Sequence, residues 1–442
     1  MPDSVRRHYE LYPYPDYPLL ASVRRCDTYA NNLDALWARF NGELPPDHLR
    51  RILIAGCGSF APYPFALANP GSAITALDLS DKSLRRARLH CLLHGMTRPE
   101  FLAGDLLDPL IAPGPFGFID CYGVLHHLED PLAGLVALGK RLGEGGILRV
   151  MVYSTYTRWE EDSIRRALRP LRVRSPEQVL QMVARSRKGS RLREFFEQSE
   201  EVSSRSGLAD ALLHPLVTSF KIDRFLDLVG GSGLKPLLFV HRGALADPEQ
   251  EAARIREMEE RRESPGNFVL YLGKDVRGGC SEGGSFRLNR CLEGVLSRPH
   301  LTPLLIAGRL GEANQPLTRR DRAFLRRFKK PVPAASLSPE ELAMAESYAE
   351  KLFLLRCRSW SLRFPAMPHG FRTNLPPQPG TLLTPRPVKK QTRCQSSIVH
   401  CQLTYLSSIS RTFFSSSTGR TGFIRSSVPS SNRSRLLMMS MV

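Results

Sequence analysis

The sequence of 442 residues has no Cys-x-x-Cys pair, no Asp or Glu after Glu350, and no apolar run approaching the roughly 20 residues that a membrane helix requires. Its nine cysteines, at 26, 57, 91, 121, 280, 291, 357, 394 and 401, are scattered and odd in number, which argues against a zinc cage or a disulfide framework. No metal is expected, and reduced thiols fit a cytoplasmic protein. The longest apolar stretches, such as 147–152 and 236–240, are too short to span a bilayer, so no membrane partner is expected. Arg6, Arg7 and His8 run into Tyr12-Pro13-Tyr14-Pro15 without an apolar signal core, and the chain is read as not exported. The missing acids locate the charge. Of the net +19, residues 351–442 supply +14 and the remaining 350 residues only +5. A nucleic-acid partner is therefore not expected except through that basic tail.

What is present is a globular chain with 42% hydrophobic residues, enough for a sizeable core. Residues 1–50 read as a lid or lead-in, with a helix over 31–41 carrying Leu33, Leu36, Trp37 and Phe40 at helical spacing. Strand-like runs at 51–55, 73–78, 100–103, 117–122 and 146–153 alternate with helical segments, the pattern of parallel βαβ units. Two more, at 235–241 and 267–272, flank a charged helix over 247–262 and would complete a seven-stranded sheet. The expected fold is α/β, a Rossmann-like, mostly parallel seven-stranded sheet over 51–273, with a helical insertion at 157–230 as substrate cap. Residues 274–364 read as an accessory helical region, with helices near 318–328 and 339–354. Residues 365–442, rich in Pro, Ser and Arg without periodicity, read as disordered. Two readings of that tail stay open: a basic arm for nucleic acid, or an out-of-frame, non-native end.

The chemistry begins at Ala55-Gly56-Cys57-Gly58-Ser59-Phe60, where Gly56 and Gly58 permit a tight turn after a strand and let backbone approach a ligand. By itself this turn also fits an ordinary strand-to-helix connection. Asp78, at the tip of the second strand, is the type of residue that accepts hydrogen bonds from ribose hydroxyls, or else caps the next helix. Gly104-Asp105 follows the third strand into the same crevice. After the fourth strand come His126 and His127, placed either to serve as a base near neutral pH or to pack as neutral rings. Tyr153, Tyr156 and His214 are further candidates for the acceptor pocket. The tyrosines at 9, 12, 14 and 17 could cover the ligand.

The ordered set of glycine turn, Asp78, Gly104-Asp105, Val124-Leu125-His126-His127-Leu128-Glu129-Asp130-Pro131 and Leu142-Gly143-Glu144-Gly145-Gly146 resembles the class I S-adenosylmethionine-dependent methyltransferases. The resemblance covers about residues 51–153. It implies S-adenosylmethionine as cofactor, with Gly56 and Gly58 at the methionine end, Asp78 on the ribose and Asp105 on the adenine amino group. It also implies that Leu79 and Leu106 pack on the adenine and that Tyr122 and Gly123 line the cofactor near its methyl group. Two positions depart from the family pattern: Ile54 stands where an acid is common, and Phe60 replaces the third turn glycine. Methyl transfer from a sulfonium is a direct displacement, so the protein aligns the reactants and, where needed, removes a proton. His126, His127 and Tyr153 are the candidates for that work. The expected activity is methyl transfer to an acceptor of unknown class, a small or medium-sized molecule given the barely basic body. A cofactor-binding scaffold without turnover remains an alternative. So does a nicotinamide-dependent oxidoreductase, although Phe60 and Ala61 break the full Gly-x-Gly-x-x-Gly fingerprint.

Overall fold

Among the described residues, two short α-helices precede the sheet, α1 (Asp3–Leu11) and α2 (Leu33–Asn41). The second starts where the Asn32 side chain accepts the Ala35 amide and stops at Gly42 in the left-handed conformation, φ 68°. The computed structural model describes residues 3–22, 31–241, 243–279, 284–299, 303–304 and 315–358. The tail expected to be disordered, 365–442, lies outside the described residues.

The chain then alternates strand and helix: β1 (Arg51–Ala55), α3 (Pro62–Ala68), β2 (Ala73–Asp78), α4 (Asp81–Leu93), β3 (Glu100–Ala103), β4 (Phe116–Tyr122), α5 (Pro131–Arg141) and β5 (Leu142–Val152). The expected cap follows as α6 (Trp159–Leu168), α7 (Pro176–Arg185), α8 (Arg191–Gln198) and α9 (Arg205–Leu208), which runs into a π-helical turn at Ala209–Leu213. Then come α10 (Ile222–Gly231), β6 (Lys235–Phe239), α11 (Pro248–Glu260) and β7 (Phe268–Gly273). The seven strands lie in the order β3-β2-β1-β4-β5-β7-β6, and β7 is antiparallel to both its neighbours. The fold is Rossmann-like α/β.

Alternation along the strands explains why helices cover both faces. Leu53, Ile119, Leu148, Val150 and Leu270 point to the side of α5, α10 and α11, where they meet Leu135, Leu138, Phe225 and Ile255. Their neighbours Ile52, Ile54, Phe118, Ile147 and Met151 point the other way, to Leu36 and Trp37 of α2 and Phe65 of α3. Each such side chain removed from water contributes about 1.5–3 kcal/mol. The cap holds a smaller core of its own, Leu168, Val179, Phe195, Val202, Leu208 and Leu212.

Beyond β7 the structure differs from an all-helical expectation for 274–364. Besides α12 (Arg290–Ser297), α13 (Arg319–Arg327) and α14 (Pro339–Glu350), this region contains β8 (Ser285–Leu288), β9 (Val332–Pro333) and β10 (Leu354–Cys357), an antiparallel sheet in the order β10-β8-β9. The helix expected over 339–354 ends early because Leu352 turns to φ 58° and the Phe353 amide bonds back to the Tyr348 carbonyl at 2.9 Å. The apolar residues after that reversal enter a strand. This region packs onto Ala35 and Ala38 of α2.

Candidate functional site

The carboxyl ends of β1, β2 and β3 are tied together by backbone. Gly56, φ 75°, and Cys57 both donate their amides to the Leu77 carbonyl, at 2.8 and 3.0 Å. Gly58, φ 56°, donates to one oxygen of Asp78 at 2.8 Å, Ser80 donates to the other at 2.9 Å, and the Gly104 amide reaches the Asp78 carbonyl at 2.9 Å. Side chains are excluded at both glycines. A Cβ on Gly56 would lie 2.3 Å from Val124 Cγ2, and one on Gly58 would lie 2.5 Å from the Tyr14 carbonyl oxygen. Asp78 is buried, which pushes its carboxyl up, while the amides of Ser80 and Gly58 pull it back.

This crevice fits the cofactor that the sequence implied. An ionised carboxylate offers about four lone-pair sites, and Asp78 spends one per oxygen on backbone, leaving capacity for ribose hydroxyls. Asp105 stands beyond β3, one oxygen accepting the Leu107 amide at 2.9 Å. Leu79 is half-buried, whereas Leu106 is buried in the core with Leu77 and Ile119. The Tyr122 ring lies 5.0 Å from the Arg149 guanidinium, which pairs with Asp120 at 2.5 Å, and Gly123, φ 82°, donates to the Met151 carbonyl at 3.3 Å. The two departures from the family pattern are absorbed by packing. Ile54 is a core residue beside Phe118, and Phe60 turns into a ring cluster with Tyr17, Tyr63 and His90.

The N-terminal segment seats on this turn. The Ser59 amide donates to the Tyr14 carbonyl at 3.1 Å and the Ser59 hydroxyl donates to the Pro15 carbonyl. The Ser80 hydroxyl reaches the Tyr9 carbonyl at 3.3 Å.

A second group of side chains gathers past the end of β4, where the turn Leu125–His127 meets the π-helical turn of the cap. His127 stacks on His214, ring centroids 3.7 Å apart, and His126 stacks on Tyr153 at 3.7 Å. Asp210 accepts the Tyr9 hydroxyl at 3.0 Å and the Tyr153 hydroxyl at 3.4 Å. His8 of α1 closes the group, 4.8 Å from the His214 ring centre. Arg158 lies 3.9 Å from the Tyr153 ring centre and pairs with Glu161 at 3.1 Å and Glu201 at 2.5 Å.

Burial sets the protonation states. It lowers His8 to about 4 against the opposing charge of Asp210, and His127 to about 3 against its bond to the Leu216 carbonyl. It also holds His126 and His214 well below the ordinary histidine range, with neighbouring His127 adding to the effect. The phenols of Tyr9 and Tyr153 are pushed up by burial and stay protonated donors, and burial raises Asp210 although His8 and Tyr9 oppose it. The tautomers follow from the network. His127 Nδ1 lies 2.8 Å from the Leu216 carbonyl and so donates, which leaves Nε2 unprotonated. His214 Nδ1 accepts the Leu216 amide at 3.2 Å, which puts the proton on its Nε2. Single ligand atoms of His8, Asp210 and His214 lie within 4.8 Å of one another; each Asp210 oxygen accepts one phenol, and the proton of His214 is on its Nε2.

The structure thus brings His126, His127 and Tyr153 together, and Gly56, Gly58, Asp78 and Asp105 along a neighbouring sheet end. Tyr156 lies 5.9 Å from Lys221 and is not tied into the group by any hydrogen bond among the described residues. Asp210, His8 and Arg158 were missed in the sequence. A signal for Asp210 existed, a lone acid inside the apolar run Leu208-Ala209-Asp210-Ala211-Leu212-Leu213.

Residues 53–150 match the family model described as a methyltransferase domain. An uncharacterised protein of Synechococcus sp. is 32% identical over 257 residues, 55% of this chain and 62% of that protein. A ubiquinone biosynthesis O-methyltransferase of Xylella fastidiosa is 36% identical over 102 residues, 23% of this chain and 40% of that one. The chain thus spans less than two thirds of the length of these curated relatives. Among solved structures, PKMT2 from Rickettsia typhi aligns over 77% of this chain and 75% of its own at 15% identity, with a TM-score of 0.46. No helix among the described residues is long and apolar enough to cross a membrane.

Proposed function

We propose that the chain, whose residues 53–150 match a methyltransferase domain, is a class I S-adenosylmethionine-dependent methyltransferase that uses S-adenosylmethionine to methylate a small or medium-sized acceptor with His127 as base. One observation carries the assignment: Nδ1 of His127 is fixed as a donor to the Leu216 carbonyl, so the free lone pair is on Nε2. When bound, the cofactor supplies an electrophilic methyl on a sulfonium. The glycine turn and Asp78 hold and orient its polar end and Asp105 its base. His127 Nε2 accepts the proton of the acceptor, and the Tyr9 and Tyr153 hydroxyls fix Asp210 next to His8 and His214. His126 stacks on Tyr153 and keeps that wall in place. The cap from α6 to the π-helical turn, together with α1, excludes water from this chamber.

The scattered, odd-numbered cysteines of the sequence support a reducing, cytoplasmic setting. The near-neutral body supports a small acceptor rather than nucleic acid. A second reading, a cofactor-binding regulator without turnover, is favoured by the Ser59 amide, which is spent on the Tyr14 carbonyl rather than open to a ligand. Calorimetry with S-adenosylhomocysteine tests binding, and tritiated methyl transfer into fractionated lysate tests turnover. Binding with label in the small-molecule fraction is expected; binding with no labelled product in any fraction would establish the regulator.

A further inference from the structure

Outside the histidine chamber, α6 offers three guanidiniums, those of Arg165, Arg166 and Arg169, to a cavity of about 310 Å³. One carboxylate faces them. Asp162 accepts Arg165 Nη2 at 2.5 Å on one oxygen and the Ser219 hydroxyl at 3.1 Å on the other, so both its oxygens are engaged and one positive charge is balanced. Two remain, since among the described residues no ion pair engages Arg166 or Arg169. Arg165 is buried, so the guanidiniums open to the cavity are those of Arg166 and Arg169. Trp159, 48% exposed, lines the same cavity and supplies an apolar wall. A volume near the lower end of the range for ligand cavities, about 300–1,000 Å³, suits a small molecule.

We propose that this cavity binds a small organic anion, its carboxylate or phosphate held by the Arg166 and Arg169 guanidiniums, with its apolar body against Trp159. Arginine presents several donors in a planar fork, and charge-assisted bonds of this kind are about twice as strong as neutral ones. The site is coupled to the chamber through Arg165, whose charge also presses on the His126, His127 and His214 rings. An anion beside that guanidinium relieves the pressure and lets His127 take a proton more readily. Binding itself does not depend on methyl transfer.

The test is calorimetric titration of the full chain, without cofactor, with benzoate, with inorganic phosphate and with benzamide as the neutral match to benzoate. One of the anions is expected to saturate a single site at millimolar concentration or below, with benzamide weaker by about tenfold or more, as the loss of a charge-assisted contact requires. Which anion wins separates carboxylate from phosphate. The double variant Arg166→Gln with Arg169→Gln is expected to weaken binding by about tenfold or more at unchanged Tm, because both side chains are exposed. Failure of both anions to saturate, or equal binding by the double variant and the parent chain, overturns the proposal whether or not the chain methylates anything.

Discussion

His127, the proposed base, has its tautomer set by a single backbone carbonyl. Leu216 fixes the proton on Nδ1, stacking on His214 fixes the ring, and burial keeps it neutral down to about 3. His127→Gln retains a donor but has no basic nitrogen. At saturating cofactor it is expected to lower kcat by about 10²–10⁴-fold, the usual contribution of a general base, with cofactor affinity in calorimetry unchanged. Because kcat/KM reports the free protein, its acid limb should not be centred near the ordinary histidine value of 6.5. A limb at that value in a pH series would count against this ring as the base. His126, also buried but with both ring nitrogens unpartnered, has no comparable carbonyl to set its tautomer.

At the scale of elements, the β1 to α3 turn and the N-terminal segment act as one unit. Gly58 holds φ 56° and its Cα faces the Tyr14 carbonyl so closely that a Cβ would stand 2.5 Å from that oxygen. A non-glycine residue held in this conformation costs on the order of 1–3 kcal/mol before any clash is counted. Gly58→Ala is therefore expected to weaken S-adenosylhomocysteine binding by about tenfold or more, from that strain alone, by shifting the turn, the Asp78 contact or the seated segment. Calorimetry reads the affinity, and an unchanged far-UV circular dichroism spectrum shows that the sheet remains intact. Affinity equal to the parent would mean that this turn does not shape the cofactor site. The turn and Asp78 were legible in the sequence because each is local: a strand, two glycines, and an acid at the next strand's tip. The seating of Tyr14 and Pro15 was not legible, since nothing in a Pro-interrupted aromatic segment specifies which surface it covers.

For the molecule as a whole, the four histidines of the chamber make stability depend on pH. Burial, the largest effect in each case, holds His8, His126, His127 and His214 below the ordinary value of 6.5. A group that binds its proton less well folded than unfolded leaves stability whole above 6.5; that stability is lost as pH falls toward the folded values, about 4 for His8 and about 3 for His127. Asp78, Glu161, Asp210 and Glu259, raised by burial, act in the opposite sense, four groups against six histidines once His90 and His241, also lowered by burial, are counted. The expected result is a Tm that declines steadily between pH 6.5 and 4 in scanning calorimetry. A Tm that stays flat across that interval would mean that these rings are not held neutral by burial.

The sequence by itself determined the sheet, because strand alternation, helical spacing and the glycine turn are properties of neighbouring residues. The seven strands and Asp78 at the tip of the second follow from them. It also indicated His126 and His127, which directly follow a strand end. Only the tertiary structure decided what surrounds those histidines and how their rings are held. Asp210, His8, Tyr9 and Tyr153 come from a π-helical turn, the first helix and the end of β5, elements separated by up to about 200 positions, with Tyr9 and Asp210 201 apart. Their meeting depends on how the cap packs over the sheet. The same holds for the short sheet of β8, β9 and β10, whose strands pair across long connections. Local pattern specifies an element, but a buried charge state depends on every element that closes around it.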